Sequence, residues 1–163
     1  MEKTHWRRHD FRIESYNVLI EGIENSILEL RDKFDKNEWY DGIWILEESE
    51  PIYGLAFVAF QNYINSSIYD RFDSSENRLE KYKLGEYVDD FQRTNIELII
   101  GTANYFKHKD ENGEIHKGTQ NILNDFEYRF DKDVNIEDSP IFKSLDLLTE
   151  RWELKKLLNK VTE

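Results

Sequence analysis

The chain has 163 residues, of which 39% are hydrophobic and 14% aromatic, so it can fill one core and is not expected to be intrinsically disordered. The absence of cysteine excludes disulfides, thiolate zinc sites and cysteine nucleophiles. The 34 acidic residues, against 22 lysines and arginines, give a net charge of -12. This charge argues against general DNA or RNA binding, because such binding needs lysine and arginine side chains to neutralise the phosphates. It is compatible with a basic protein partner.

The first residues, MEKTHWRRHDF, are charged where a signal peptide would be apolar. The longest apolar run, Leu55 to Phe60, is far shorter than the roughly 20 residues that span a bilayer. We therefore expect a cytoplasmic protein without a membrane segment. The same terminus holds the one dense basic cluster, WRRHDFR, whose Trp6 could stack on a nucleic-acid base, although a solvated helix start accounts for the same residues.

The first predicted helix carries one apolar stripe, because its hydrophobic residues recur at alternating steps of three and four. The stripe consists of Ile13, Tyr16, Ile20, Ile23, Ile27, Leu30 and Phe34. Gly22 lies inside this helix, where it costs about 1 kcal/mol relative to alanine, and we expect it to allow close approach of a neighbouring element.

A connector rich in aromatic and acidic residues follows, from Asp35 to Glu50, and its pattern does not decide between a short strand and a helical turn. Pro51 suits the first position of a second helix, with Ser49 or Glu50 as its cap. That helix is apolar on nearly every side through Phe60, which predicts the most buried element. Its second half should direct four side chains inward: Tyr63, Ile64, Ile68 and Phe72.

Three further helices are predicted after a turn at 73–77. The third runs from about Leu79 to His108, and Asn112 with Gly113 should form a tight turn beyond it. Thr119 is the expected cap of the fourth, whose apolar residues are Ile122, Leu123, Phe126 and Phe130. Ser139 and Pro140 are a typical cap and first residue of a last helix, whose apolar residues are Ile141, Leu145, Leu148, Trp152, Leu154, Leu157, Leu158 and Val161.

These patterns together predict an all-α protein. We expect a single domain over residues 1–163, built as an antiparallel bundle of about five helices.

The third predicted helix has a polar stripe that could carry chemistry. At 100° per residue, its members fall within an arc of about 80°; they are Arg93, Glu97, Gly101, Asn104 and His108. Such side chains could hold a phosphate or transfer a proton, and Gly101 would leave room for a ligand. The alternative is a solvated helix face on which Arg93 and Glu97 form an ordinary ion pair.

Two sets of histidines are candidates for a metal site. His5 and His9 have the spacing that lets two imidazoles share an ion on a helix face. His108 and His116 flank several acids around the predicted turn, namely Asp110, Glu111 and Glu114. Neither set has a complete group of ligands at a diagnostic spacing, so we expect no metal and no cofactor.

The segment ANYFKH, residues 103–108, resembles the motif of HEPN proteins, a class of small all-α bacterial proteins. Many HEPN proteins are metal-independent RNases of toxin, antiphage and CRISPR-associated systems. Their motif is an arginine, often followed by asparagine, with a histidine a few positions later. Asn104 and His108 match the last two residues, whereas Ala103 stands in place of the arginine.

This departure affects the chemistry that the resemblance implies. In the HEPN mechanism the arginine would stabilise charge on the scissile phosphate and the histidine would transfer protons. Ala103 can do neither, and Arg93 could substitute only through a second copy of the chain or an unforeseen fold. Lys107 and Lys109 lie nearer but lack the bidentate geometry of a guanidinium. The resemblance therefore favours a HEPN-like fold without catalysis.

The sequence thus supports two hypotheses. The first is a non-catalytic acidic protein of a bacterial or phage conflict system that binds a protein partner, with a contact surface formed by Glu38, Trp39, Tyr40, Asp41, Trp44 and Glu47. The alternative is a HEPN-type RNase that acts as a homodimer and uses Asn104, His108 and Arg93. Contact with nucleic acid is expected only under the second hypothesis.

Overall fold

The computed structural model describes residues 10–37, 41–111, 115–129 and 135–162. Helices account for 76% of these residues, and no β-strand occurs among them, which confirms the all-α prediction. The helices are α1 (Arg12–Lys36), α2 (Gly42–Phe72), α3 (Arg78–Tyr82), α4 (Asn95–His108), α5 (Lys117–Asp125), α6 (Pro140–Leu148) and α7 (Leu154–Thr162). Short 3-10 turns precede and follow α6, at Ile136–Asp138 and Glu150–Trp152.

Helix α1 follows the predicted apolar stripe. Ile20 and Ile27 are buried, and the other members of the stripe are partly buried, because they face α2 and α7. The prediction for Gly22 is wrong. A Cβ atom added there would have no neighbour within 4 Å, so Gly22 faces open space instead of a packed element.

Helix α2 begins nine residues before the predicted start, so Pro51 lies inside the helix and not at its first position. The actual cap is Asp41, whose carboxylate accepts hydrogen bonds from the backbone N–H groups of Ile43 (3.1 Å) and Trp44 (3.2 Å). Proline has no N–H to donate to the Glu47 carbonyl, and because Pro51 and Glu47 are both exposed, water can take the place of that donor. Phe72 was also predicted wrongly, since it is exposed.

The long third helix is interrupted, so the prediction of one helix over 79–108 is wrong. Residues 83–94 form a compact loop closed by two backbone hydrogen bonds, from Val88 N–H to the Arg93 carbonyl (2.9 Å) and from Asn95 N–H to the Glu86 carbonyl (2.8 Å). Thr94 then starts α4 with a capping box in which Glu97 takes part. The local capping signal outweighs the apolar periodicity that runs through the loop.

The last two predicted helices are also corrected in their limits. Helix α5 begins at Lys117 with His116 as cap, so Thr119 lies within the helix, where it is buried. Ser139 caps α6 as predicted and Pro140 is its first residue. The expected continuous last helix is broken between α6 and α7, where Arg151 adopts a left-handed φ of 60°. Asn112, Gly113 and Phe130 lie outside the described residues.

Helix α2 occupies the centre of the molecule. Its most extensive contacts are with α4 and α1, while α4 also packs on α5 and α6, and α1 on α7. The absence of a side chain at Gly54 lets the ring of Phe106 lie directly on α2. The buried apolar side chains of the described residues form one cluster to which α1, α2, α4, α5, α6 and α7 all contribute.

Candidate functional residues and an aromatic cleft

Arg93 precedes α4 and is bound to two carboxylates. Its Nη1 atom lies 2.6 Å from Glu97 Oε1, and its Nε and Nη2 atoms lie 2.8 and 2.7 Å from Asp125 Oδ2. Partial burial acts to lower the pKa of Arg93, but the hydrogen bonds and charges of Glu97 and Asp125 together outweigh it and raise the pKa. The guanidinium thus joins the start of α4 to the end of α5. The sequence left open whether the polar stripe forms a chemical site or a solvated face with an ordinary ion pair between Arg93 and Glu97, and the structure contains that ion pair.

Asn104 joins α4 to α2 through a side-chain network. The Gln61 side chain donates from Nε2 to Asn104 Oδ1 (2.8 Å), and Lys107 donates from Nζ to Gln61 Oε1 (2.7 Å). Because Gln61 is buried, both of its polar atoms need partners, and Asn104 and Lys107 supply them. The predicted site residue Asn104 therefore has a packing function in the structure.

His108 is the last residue of α4, as predicted, and its side chain is 46% exposed. Its Nδ1 atom lies 2.8 Å from Glu111 Oε1. This contact is local to the helix end.

The structure does not bring the three predicted catalytic residues together within one chain. Helix α4 has 14 residues and is about 21 Å long, with Arg93 before its first residue and His108 at its last. Ala103, which stands where the resemblance to HEPN proteins would require an arginine, is completely buried. Gly101 does not face a ligand space either, since an added Cβ would lie 2.9 Å from Ile122 Cγ2. The expectation that Gly101 leaves room for a ligand is therefore wrong. The glycine instead allows α5 to pack closely on α4.

The predicted contact surface is described only in part, because Glu38, Trp39 and Tyr40 lie outside the described residues. Asp41 is exposed and caps α2, and Glu47 is exposed one helical turn beyond Trp44. The side chains of Ile43 and Trp44 are 50% and 53% exposed. The start of α2 therefore presents apolar side chains beside carboxylates.

Metal ligands do not cluster in the described part of the chain, where no group of three or more histidines, aspartates and glutamates could hold an ion. The His5 and His9 candidates fall outside the described residues. His108 and His116 are placed, but they do not belong to such a group.

An ion-pair cluster that the sequence analysis did not single out ties the start of α1 to α2. Asp10 accepts hydrogen bonds from Arg12 Nε (2.8 Å) and from Tyr63 Oη (2.8 Å), and the Arg12 guanidinium lies 5.3 Å from the centre of the Tyr63 ring. The hydrogen bonds from Arg12, with a smaller contribution from Tyr63, hold the pKa of Asp10 at about 2. Burial, with the hydrogen bond to Asp10, raises the pKa of Tyr63 to about 12.

A second junction joins three separate helices through a buried carboxylate. Glu50 of α2 is in ionic contact with Lys109, which follows α4, and accepts a hydrogen bond from the Ser139 hydroxyl (2.6 Å) at the start of α6. Ser139 was predicted as a cap, but its contact with Glu50 could not be foreseen from residues so far apart in the chain. This junction stabilises the packing of α2, α4 and α6.

A shallow cleft lies between the loop before α4 and the end of α5. We call it the aromatic cleft, and its two adjoining parts measure about 490 and 300 Å³. The larger part is lined by Asp90, Phe91, Gln92, Arg93, Asp125 and Glu127, and the smaller by Phe91, Phe126, Glu127, Tyr128, Lys143, Asp146 and Leu147. The apolar periodicity predicts a helix over residues 83–94, so this cleft could not be foreseen from the sequence.

Comparisons with protein-family models, with curated proteins and with solved structures found no match to this chain. Within its described residues, none of its helices combines the length and the apolar character that crossing a membrane requires.

Proposed function

We propose that this chain is a non-catalytic acidic binding protein that acts by protein–protein interaction in a bacterial or phage conflict system. Its role there is that of an immunity protein, an antitoxin or another defence component, and its partner has a basic surface. The net charge of -12 supports this proposal, because opposite potentials accelerate and orient the encounter of two proteins.

The observation that carries the proposal is the surface at the start of α2. Trp44 and Ile43 are half exposed there, with Asp41 and Glu47 beside them. Aromatic anchors rimmed by charge are typical of the residues that dominate binding energy at interfaces. Arg93, by contrast, is occupied by contacts within the chain.

We propose a HEPN-like, antiparallel, single-domain bundle that acts in the cytoplasm. Contacts between the first two helices support the antiparallel order, because Arg12 reaches Ser67 (3.3 Å) while Tyr16, further along α1, meets Tyr63, which comes earlier in α2.

The proposal is tested by measuring association with a basic protein encoded beside this chain's gene. The association rate should fall steeply as salt rises, because screening shortens the range of charge attraction. Trp44→Ala should weaken the complex by about tenfold or more, as expected for an interface anchor. Val18→Ala is the matched control, since Val18 is 64% exposed on α1.

Two results would contradict the proposal. One is an association rate that does not change with salt. The other is a Trp44→Ala variant that binds normally or that loses binding only because its melting temperature collapses. A melting curve of each variant separates the second case from loss of a surface anchor.

A homodimeric, metal-independent RNase is the second candidate function. It is favoured by the exposed imidazole of His108, which lies one helical turn beyond Asn104 and would need a basic residue from a second copy. Under the preferred proposal, the parent protein cleaves no RNA and His108→Ala costs little stability. Robust cleavage without metal that disappears in His108→Ala would replace the binding protein with the enzyme.

A further inference from the structure

We propose that an uncharged surface on α1 and α2 is the contact between two copies of this chain in a two-fold dimer. We call this surface the neutral face, and it is formed by Leu19, Ile23, Leu55, Ala59, Asn62 and Tyr69. The inference rests on neither candidate function. Glu47 and Glu48 separate the neutral face from Trp44 at the start of α2.

The outward side of α2 carries no charge along most of its length. Residues 51–69 include no aspartate, glutamate, lysine, arginine or histidine, in a chain of which 34% of the residues are charged. Burial explains this composition only on the inward side, because Leu55 and Tyr69 are 56% and 53% exposed and Asn62 is exposed as well. At 100° per residue, these three side chains and Ala59 fall within an arc of about 80°. They form one exposed, uncharged stripe.

Helix α1 continues this stripe on the same side of the molecule. The rings of Tyr16 and Tyr63 meet at 5.2 Å between their centres, which places the next turns of α1 beside the middle of α2. Those turns carry Leu19, which is 47% exposed, and partly buried Ile23. Leu19 lies about 140° around α1 from Glu24, whose carboxylate binds the backbone at the start of α7 (3.1 Å). Leu19 is therefore directed away from α7, as the exposed stripe of α2 is directed away from the core.

The neutral face is of the size that a dimer contact needs. It extends about 27 Å along α2, from Pro51 to Tyr69, and is two helices, or about 20 Å, wide. Its projection of about 500 Å² is smaller than its accessible surface, because side chains stand out from the helices, and each partner of a standard interface buries roughly 800 Å². At one end lies a charge pair, with Arg12 Nη2 3.2 Å from Asp70 Oδ2. An apolar centre with a charged rim is the usual anatomy of an interface.

The charge of the molecule favours a second copy as the occupant of this face. A partner with a basic surface would meet no carboxylate there. Two copies of this chain, each with a net charge of -12, repel each other wherever their carboxylates are brought together, and on the neutral face they are not. The neutral face is thus complementary to itself, which is what a two-fold contact requires, since it pairs the same surface of both copies.

The order of side chains along α2 suits a two-fold axis. An axis near Ala59 would bring Leu55 of each copy close to Asn62 of the other. The small side chain of Ala59 would let the two α2 helices approach closely at their crossing point. The exposed leucines, which are costly to leave in water, would then be covered.

The first experiment measures the mass of the full chain in solution by sedimentation velocity, between about 1 and 200 µM. We expect a dimer that forms as the concentration rises. It should become tighter when sodium chloride is raised to about 0.5 M, because salt screens the repulsion between the two acidic chains. A chain that stays monomeric over this range at low and at high salt would overturn the inference, since another occupant would then have to cover the neutral face.

Paired variants then test whether the neutral face forms the contact. Leu55→Asp and Leu55→Arg should each raise the Kd of the dimer by about 100-fold or more, because every dimer would bury two unpaired charges. Leu28 is the matched control position, since it is also 56% exposed but lies about 180° around α1 from Leu19. Leu28→Asp and Leu28→Arg should change the Kd by less than about threefold. Melting curves show that each variant is folded.

Two results with these variants would overturn the inference. Equal losses at both positions would show that the contact does not lie on the neutral face. A loss with Leu55→Asp but not with Leu55→Arg would show that total charge, which the two substitutions change in opposite directions, governs the association.

A cross-linking experiment locates the contact without adding a charge. The chain contains no cysteine, so a single introduced cysteine reports its own surroundings. With a short bis-maleimide, Asn62→Cys should form covalent dimers at concentrations where Leu28→Cys stays monomeric. Cross-linking of Leu28→Cys in preference to Asn62→Cys would place the contact elsewhere and overturn the inference.

The outcome for the dimer can be distinguished from that for the proposed function, because the two associations respond to salt in opposite directions. Added salt should weaken binding of the basic partner and strengthen the dimer. A chain that binds the partner but stays monomeric would overturn this inference and leave the proposed function standing. A dimer that meets the tests above but binds no basic partner would support this inference while the proposed function fails.

Discussion

Individual polar side chains in this protein hold helix ends and helix contacts together. Thr94 and Glu97 cap α4, Arg93 links that cap to α5, and Asn104 supplies a partner for buried Gln61. Residue types that are typical of active sites are thus used for packing, because a buried or half-buried polar group is costly unless it is hydrogen-bonded.

We expect Thr94→Val to lower the free energy of unfolding by about 1–2 kcal/mol, the usual cost of losing a helix cap. The Thr94 hydroxyl accepts from Glu97 N–H (3.2 Å) and donates to the Tyr82 carbonyl (2.7 Å), and valine can do neither. Urea denaturation measures the change. Thr119→Val is the control, because Thr119 is also buried but lies within α5. Equal destabilisation of the two variants would contradict a capping role.

Because the pKa of Asp10 is lowered, the stability of the protein should depend on pH in the acidic range. The ionised carboxylate is stabilised by Arg12, so its contribution to stability is present above the unfolded-state pKa of 3.8 and is lost as the pH falls towards about 2. Asp10→Asn should therefore be less stable than the parent at neutral pH, and the difference should shrink as the pH falls through this window. Denaturation at a series of pH values measures it. A difference that is constant with pH would show that the charge of Asp10 is not involved.

Helices in this chain begin and end where local caps place them. Asp41, Thr94 and Ser139 each accept hydrogen bonds from the first turn of the helix that they precede. Between the caps, glycine positions decide how closely helices approach. Gly101 is packed against α5, whereas Gly22 faces open space.

These two glycines permit a matched test with the same substitution. Gly22→Ala should raise the free energy of unfolding by about 0.5–1 kcal/mol, because alanine is the better helix former and meets no obstacle. Gly101→Ala should lower it by about 1–3 kcal/mol, since its Cβ would lie 2.9 Å from Ile122 Cγ2 and 3.1 Å from Leu123 Cδ2. Thermal and urea denaturation report both changes. Stabilisation by Gly101→Ala would mean that α4 and α5 are not packed so closely.

The whole molecule carries a large excess of negative charge, and this excess acts on stability as well as on partners. With a net charge of -12, the folded chain repels itself, and the repulsion is strongest at low ionic strength. The ion pairs on the surface oppose this effect only weakly, because exposed pairs contribute about 0–1 kcal/mol each.

We therefore expect added salt to stabilise the protein. The urea midpoint should rise as sodium chloride is increased to about 0.5 M, where the Debye length has fallen well below its value of about 10 Å at 0.1 M. A variant that combines Glu29→Gln with Asp35→Asn, at two exposed positions of α1, should show a smaller rise, because it removes two of the repelling charges. A midpoint that falls with salt would indicate that ion pairs, not repulsion, dominate the electrostatics of folding.

The sequence is enough to predict the helical class, the apolar stripe of α1 and the start of α6 at Ser139 and Pro140, because periodicity and capping act within a few residues. The sequence also contains the capping box of Thr94 and Glu97. The apolar periodicity over residues 79–108 nevertheless predicted one continuous helix there. The tertiary structure alone decided the partners of Arg93 and the packing of Gly101, since these depend on residues of another helix. It also created the aromatic cleft, because Phe91 and Phe126 meet only when the loop before α4 folds against the end of α5.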